Sequence, residues 1–166
     1  MRVHGHFLSA LHRLKLRAMD SQGQIHASCV SRDGAGVLLL GPPGSGKSDL
    51  ALRLLSRGFI LVADDRVVIE RGLARPVPGL AGLLEVRGLG IVRLAHAAEA
   101  RLVLAVELGG APRLPEPRRH ARLDLPLVAV EAFAASAPER VALALDCAFG
   151  RVPQVAGAFA PGAFAL

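Results

Sequence analysis

The stretch that most limits what this 166-residue chain can fold into is GPPGSGKS at 41–48, set between VLLL at 37–40 and the run SDLALRLLSR at 48–57. A short apolar run reads as a buried strand, and Leu50, Ala51, Leu54 and Leu55 share one face of a helix that Gly58 ends. Strand, glycine loop and helix in this order aim the loop's backbone N–H groups and the helix N-terminus at one point, which makes an anion site. Gly41, Pro42, Pro43, Gly44, Ser45, Gly46, Lys47 and Ser48 are therefore expected to cradle the phosphates of a nucleotide. The choice of lysine is informative, because the chain carries eighteen arginines and only two lysines. A compact ammonium enters between β- and γ-phosphates as a point charge, where a wide guanidinium does not fit. The Ser48 hydroxyl suits Mg²⁺, so ATP with Mg²⁺ is the expected ligand.

The next run, FILVA at 59–63, reads as a strand that ends on Asp64 and Asp65. Strand, loop, helix and strand make a crossover unit, right-handed when the strands are parallel, with its ligands at the carboxyl edge. The two acids thus return toward the phosphates. In an extended segment adjacent side chains face opposite ways, so one acid can act as base toward a phosphoryl group while the other meets metal, backbone or an arginine. Upstream, IHASCV at 25–30 reads as a strand carrying His26, and the turn RDGAG joins it to VLLL as a hairpin. A histidine alone on a strand is more often structural than catalytic.

Further along, VVIE and LARPV flank Arg71 and Gly72 as a second hairpin. PGLAGLLEVRGLGIV at 78–92 is punctuated by glycines, and those following Glu85 and Arg87 would let backbone approach closely. LVLAVEL at 102–108 is another buried strand, APRLPEPRRH at 111–120 an exposed loop, LPLVAV from 125 a last strand, and 138–148 a last helix opened by proline. This predicts a basic N-terminal arm at 1–20, one α/β domain at 21–148 and an irregular tail at 149–166.

Charge excludes one class of partner. The first eighteen residues hold Arg2, Arg13, Lys15 and Arg17 and no acid; without them the net charge of +6 falls to near neutral, and the chain has no Trp or Tyr. A nucleic-acid binder would carry its basic stripe and stacking aromatics on the fold. Because Met19 precedes the first domain-like residues, the arm is either a leader or lies upstream of the true start. No apolar run reaches the ~20 residues of a membrane-spanning helix. Cys29 and Cys147 sit in apolar stretches, which points to buried thiols in a reducing cytoplasm.

Four segments in order, IHASCV, GPPGSGKSDLAL, RGFILVADDRV and LLEVRGLGIV, resemble the catalytic domain of the HPr kinase/phosphorylase family, over about residues 24–131. The resemblance implies a cytoplasmic serine/threonine-type protein kinase, a transferase that uses Mg·ATP to phosphorylate a serine of HPr or a similar phosphocarrier and so regulates carbohydrate uptake by the phosphotransferase system. The implied fold is a single P-loop kinase domain related to phosphoenolpyruvate carboxykinase, a central sheet with flanking helices. Matched by position, Asp64 takes the place of the catalytic base and His26 that of the histidine contacting it. Asp65 and Glu85, with Ser48, stand near the metal, and Arg87 contacts phosphate or substrate.

Two departures qualify the match: only a short arm precedes the motifs, as in short members, and the loop after the last strand reads EAFAASAPER where longer members read close to PGRN. The second counts against phosphorolysis, and against carrying over an arginine role to Arg140 or the family's hexamer, so the homo-oligomer stays open. Other readings are a kinase of the same fold acting on another protein or a small hydroxyl compound, and a non-catalytic nucleotide sensor. A sensor needs the loop but no base.

Overall fold

The computed structural model describes residues 23–159, so the basic arm expected at 1–20 and the end of the tail lie outside the described residues. The elements are β1 (Gln24–Ile25), β2 (Ala27–Arg32), β3 (Ala35–Leu40), α1 (Lys47–Leu55), β4 (Ile60–Ala63), β5 (Val67–Glu70), β6 (Leu73–Pro76), β7 (Leu83–Val86), β8 (Gly90–Arg93), β9 (Ala100–Leu108), β10 (Leu127–Val130) and α2 (Ala137–Ala148). Both predicted hairpins close through two residues at positive φ, Asp33 and Gly34 at 53° and 79°, Arg71 and Gly72 at 51° and 77°. Such turns match the right-handed twist of the strands they join. The first turn is therefore tighter than RDGAG suggests, and β2 and β3 run on to Arg32 and from Ala35.

The main sheet runs β1-β5-β6-β9-β3-β2-β4, with β10 also paired to β9. Its organising strand is β9, nine residues long: β3 lies parallel along one edge, while the other edge takes antiparallel β6 at Ala100 and Arg101 and parallel β10 from Ala105 to Leu108. The carboxyl ends of β3, β9 and β10 therefore point the same way. Strand β2 is antiparallel to both β3 and β4, so β3 and β4 are parallel with one strand between them, and α1 crosses over it.

Alternation along β3 divides the core. Val37 and Leu39 pack with Leu50 and Leu54 of α1 and Val141 and Leu145 of α2, while Leu38 faces Cys29 and Val62 in a second cluster. Both helices serve the first cluster, and the second is covered by Ile69, Leu123 and Leu125 rather than by a helix. The expected flanking by helices thus occurs on one face among the described residues. Helix α1 stops at Leu55, two residues short of the expected end, where Arg57 N–H turns back to the Leu54 carbonyl (2.8 Å) and Gly58 takes φ 82°. The described part of the tail has no helix or strand, as expected, but it returns Phe159 to the first cluster.

Candidate functional site

The glycine loop is shaped by steric demand at two positions. A Cβ on Gly41 would stand 2.4 Å from Ser45 Oγ, and one on Gly46, at φ 95°, would stand 2.9 Å from Phe133 Cζ. Ser45 N–H closes the turn on the Pro42 carbonyl (3.1 Å), and Gly46 caps α1, with Leu50 N–H donating to its carbonyl (2.9 Å). Lys47 is buried at the first position of α1, and its Nζ donates to the carbonyls of Gly41 (2.7 Å) and Pro42 (2.9 Å). Two of its three N–H groups are thus engaged by the loop. Burial lowers the Lys47 pKa, opposed by the charges of Asp65 and Asp64.

At the end of β4 the backbone does not continue as a strand. Asp65 has φ 67° and Arg66 N–H donates to the Asp64 carbonyl (2.7 Å), which makes a γ-turn centred on Asp65. Non-glycine residues hold this conformation only where the surroundings enforce it, at roughly 1–3 kcal/mol. The turn separates the acids. Asp64 points inward, its Oδ1 accepting the hydroxyls of Ser28 (2.7 Å) and Ser48 (2.8 Å) and its Oδ2 the backbone N–H of Glu85 (3.5 Å). Burial raises its pKa, and these three hydrogen bonds oppose the rise. Asp65 points outward, with its Oδ1 3.6 Å from His26 Nδ1.

This corrects one expectation. His26 lies against Asp65, not Asp64, because the γ-turn rather than strand alternation sets the direction of the two carboxylates. Of the glycines after Glu85, Gly88 and Gly90 take φ 81° and 121° in and beside the β7–β8 turn, and no other protein atom lies within 4 Å of where a Cβ would stand.

The outward groups meet around a cavity of about 370 Å³. Pro43, Gly44, Gly46, Lys47 and Ser48 form its loop side, Asp65 stands just past the end of β4 beside His26, which lies in a break between β1 and β2 rather than on the expected strand, and Glu85 and Arg87 come from the β7–β8 hairpin. Gly41, Pro42 and Ser45 shape the loop without lining this cavity, and neither Asp64 nor Arg140 lines it. Three residues that sequence reasoning passed over belong here: Ser28, which holds Asp64, and Asp49 and Phe133, which line the cavity. Ser28 carries no local signal: the chain breaks at His26 between β1 and β2, and Ser28 turns inward to Asp64 while His26 turns outward to Asp65. Among the described residues no three His, Cys, Asp or Glu side chains gather as a ready cation cage.

The two cysteines are free and buried, and burial pushes the Cys29 thiol up to about 12. Neither is a nucleophile for this site. No helix among the described residues is long and apolar enough to cross a membrane.

Fold and site together define a class: a mixed α/β domain whose strand–glycine loop–helix unit faces paired acids across the carboxyl edge of the sheet. The family is equally plain. The model of the HPr serine kinase C-terminal domain matches residues 17–104, and the chain belongs to that family. Among its relatives, the HPr kinase/phosphorylase of Chlorobium chlorochromatii is 48% identical over 75 residues, 42% of this chain and 22% of that protein. The HPr kinase/phosphorylase of Caldicellulosiruptor bescii is 46% identical over 72 residues, 40% of this chain and 23% of that protein. The aligned segments thus span less than a quarter of these relatives. The solved Hpr(Ser) kinase/phosphatase from Coxiella burnetii superposes with a TM-score of 0.65 at 23% identity, covering 74% of this chain and 87% of that one. At that identity the match speaks to the fold.

Proposed function

We propose that this protein is a P-loop kinase that transfers the γ-phosphoryl group of Mg·ATP to a serine of an HPr-like phosphocarrier, and so regulates sugar phosphotransferase signalling. The observation that carries the reading is the convergence of Lys47, Ser48, Asp65, His26, Glu85 and Arg87 on one cavity. Loop 41–48 offers its amides to the phosphates, and the third N–H of Lys47 offers a point charge.

Asp65, rather than Asp64, is the base in this reading. It stands in the cavity, whereas Asp64 is occupied by Ser28 and Ser48. As the substrate serine oxygen bonds to the γ-phosphorus and the bond from that phosphorus to the β-bridging oxygen breaks, the serine proton passes to the Asp65 carboxylate and ADP departs. His26 orients that carboxylate, and Arg87 meets charge on the transferring group. The strained backbone at Asp65 holds the acid in place before substrate arrives.

The donor set suits Mg²⁺. Ser48 donates its proton to Asp64 at 2.8 Å, which leaves its oxygen lone pairs for a cation, and Glu85 adds a carboxylate, while Asp65 is kept for the proton. Few protein oxygens with phosphates completing the shell is how Mg²⁺ is usually held. Bound there, the ion would neutralise charge on the β- and γ-phosphates. Transfer runs in the kinase direction, because Arg140 stands outside the cavity lining and adds no cation to hold inorganic phosphate beside phosphoserine.

Intact-mass analysis of an HPr-like carrier incubated with the protein and Mg·ATP tests this. One phosphate on serine is expected, with Asp65→Asn slowing transfer about 10²–10⁴-fold while keeping ATP binding. An unmodified carrier, or an Asp65→Asn variant as fast as wild type, refutes the assignment.

A further inference from the structure

A second groove, of about 560 Å³, adjoins the first on the other side of the glycine loop. Ser45 of the loop forms part of its wall, and the rest comes from Leu108, Gly109 and Gly110 at the end of β9 and from residues 131–134 after β10. Strands β3, β9 and β10 are parallel, so the segments leaving their carboxyl ends meet here, where open α/β sheets receive ligands. Asp65, just past the end of β4, lies toward the other side, in the first cavity.

One side chain joins the two spaces. Phe133 lines both and is 72% exposed, yet its ring edge lies on the loop, 2.9 Å from where a Gly46 Cβ would stand. The segment that carries it is pinned. Arg53 of α1 donates to the carbonyls of Ala132 and Ala134, and Ala134 N–H donates to the Glu131 carbonyl (3.1 Å). An aromatic ring held in water beside an anion site presents a flat face to whatever is attached to that anion. Opposite it the floor is open, since nothing lies within 4 Å of a Cβ built on Gly109 or Gly110.

We propose that this groove is the base and ribose subsite of a nucleoside triphosphate, with Phe133 as the stacking face and the Glu131 carboxylate at the rim as acceptor for ribose hydroxyls. It rests on the reading of loop 41–48 as the phosphate site. The nucleotide lies across the loop, its terminal phosphate toward Asp65 and its base toward β9 and β10.

The test compares Mg·ATP with Mg·tripolyphosphate, which shares the phosphates but has no base. By calorimetry, wild type binds ATP about tenfold or more tighter than tripolyphosphate. Phe133→Ala weakens ATP about ten- to hundredfold, the usual worth of a base–aromatic stack, and leaves tripolyphosphate within about twofold. Phe133→Trp introduces a tryptophan into a chain that has none, and its fluorescence is quenched by ATP but not by tripolyphosphate. Equal affinity of wild type for the two ligands, or parallel loss of both in Phe133→Ala, overturns the subsite while the phosphate loop stands. Failure of wild type to bind either ligand overturns the phosphate reading and the subsite with it.

Discussion

Replacing Asp64 with asparagine separates the buried acid from its charge, and the structure sets the outcome. Both serine hydroxyls donate to the same oxygen, Oδ1, at 2.7 and 2.8 Å, so an amide with its oxygen there keeps both bonds. Its NH₂ then faces the Glu85 N–H, which wild type pairs with Oδ2 at 3.5 Å, and losing that long bond costs about 1 kcal/mol. Against this stands the removed charge. Burial lifts the folded pKa of Asp64 above its ordinary 3.8, so between these two values the folded state holds a proton that the unfolded state has released. Wild-type stability accordingly falls as pH rises from 3.8 through the folded pKa and carries a constant penalty above it. Each unit of lift is worth about 1.4 kcal/mol, and asparagine carries no such penalty. Urea unfolding of both proteins from about pH 3.5 to 7.5, without nucleotide, should show the variant slightly weaker in acid and gaining on wild type as pH rises. Other carboxylates titrate in both proteins and cancel in the difference. A difference that is flat, or that tilts against the variant toward neutral pH, would refute the claim that Asp64 is a buried charge held by hydroxyls.

Two further variants probe the loop and its support. Lys47→Ala should lower Mg·ATP affinity about a hundredfold in calorimetry and still unfold cooperatively in urea, because the ammonium's hydrogen bonds go to loop carbonyls rather than to the core; unchanged affinity in a folded variant would remove loop 41–48 as the phosphate site. Arg53→Ala takes the guanidinium from the Ala132 and Ala134 carbonyls, of which Ala134 keeps the Ala137 N–H (3.0 Å), and should destabilise by about 1–3 kcal/mol, with ATP affinity falling more than tripolyphosphate affinity because the released segment carries Phe133.

Much of the site was legible because its signals are local. The glycine loop, the helix after it and the apolar strands around it lie within one stretch of chain, and each follows from the residues of that stretch. Arg71 and Gly72 likewise specify their own turn, since both must accept positive φ. Hydrophobic period placed α2 within a residue of its observed start, with Pro138 in the first turn where its missing N–H leaves no helix bond unmade.

What only the tertiary structure decided concerns groups far apart in sequence. Which of Asp64 and Asp65 faces the cavity depends on a γ-turn that no local propensity favours, enforced by Ser28 and Ser48, which lie 36 and 16 residues from Asp64. Phe133 reads as one apolar residue in an alanine-rich loop, and only the pairing of β10 with β9 brings it over Gly46. The double use of one β9 edge by β6 and β10, and the return of Phe159 to the core, are equally invisible in the strings that encode them. Backbone preference acts over a few neighbouring residues, whereas burial depends on which distant surfaces close on each other. The chain thus specifies by itself the glycine loop and the helix it opens, and the packed sheet selects the carboxylate and the ring that stand around them.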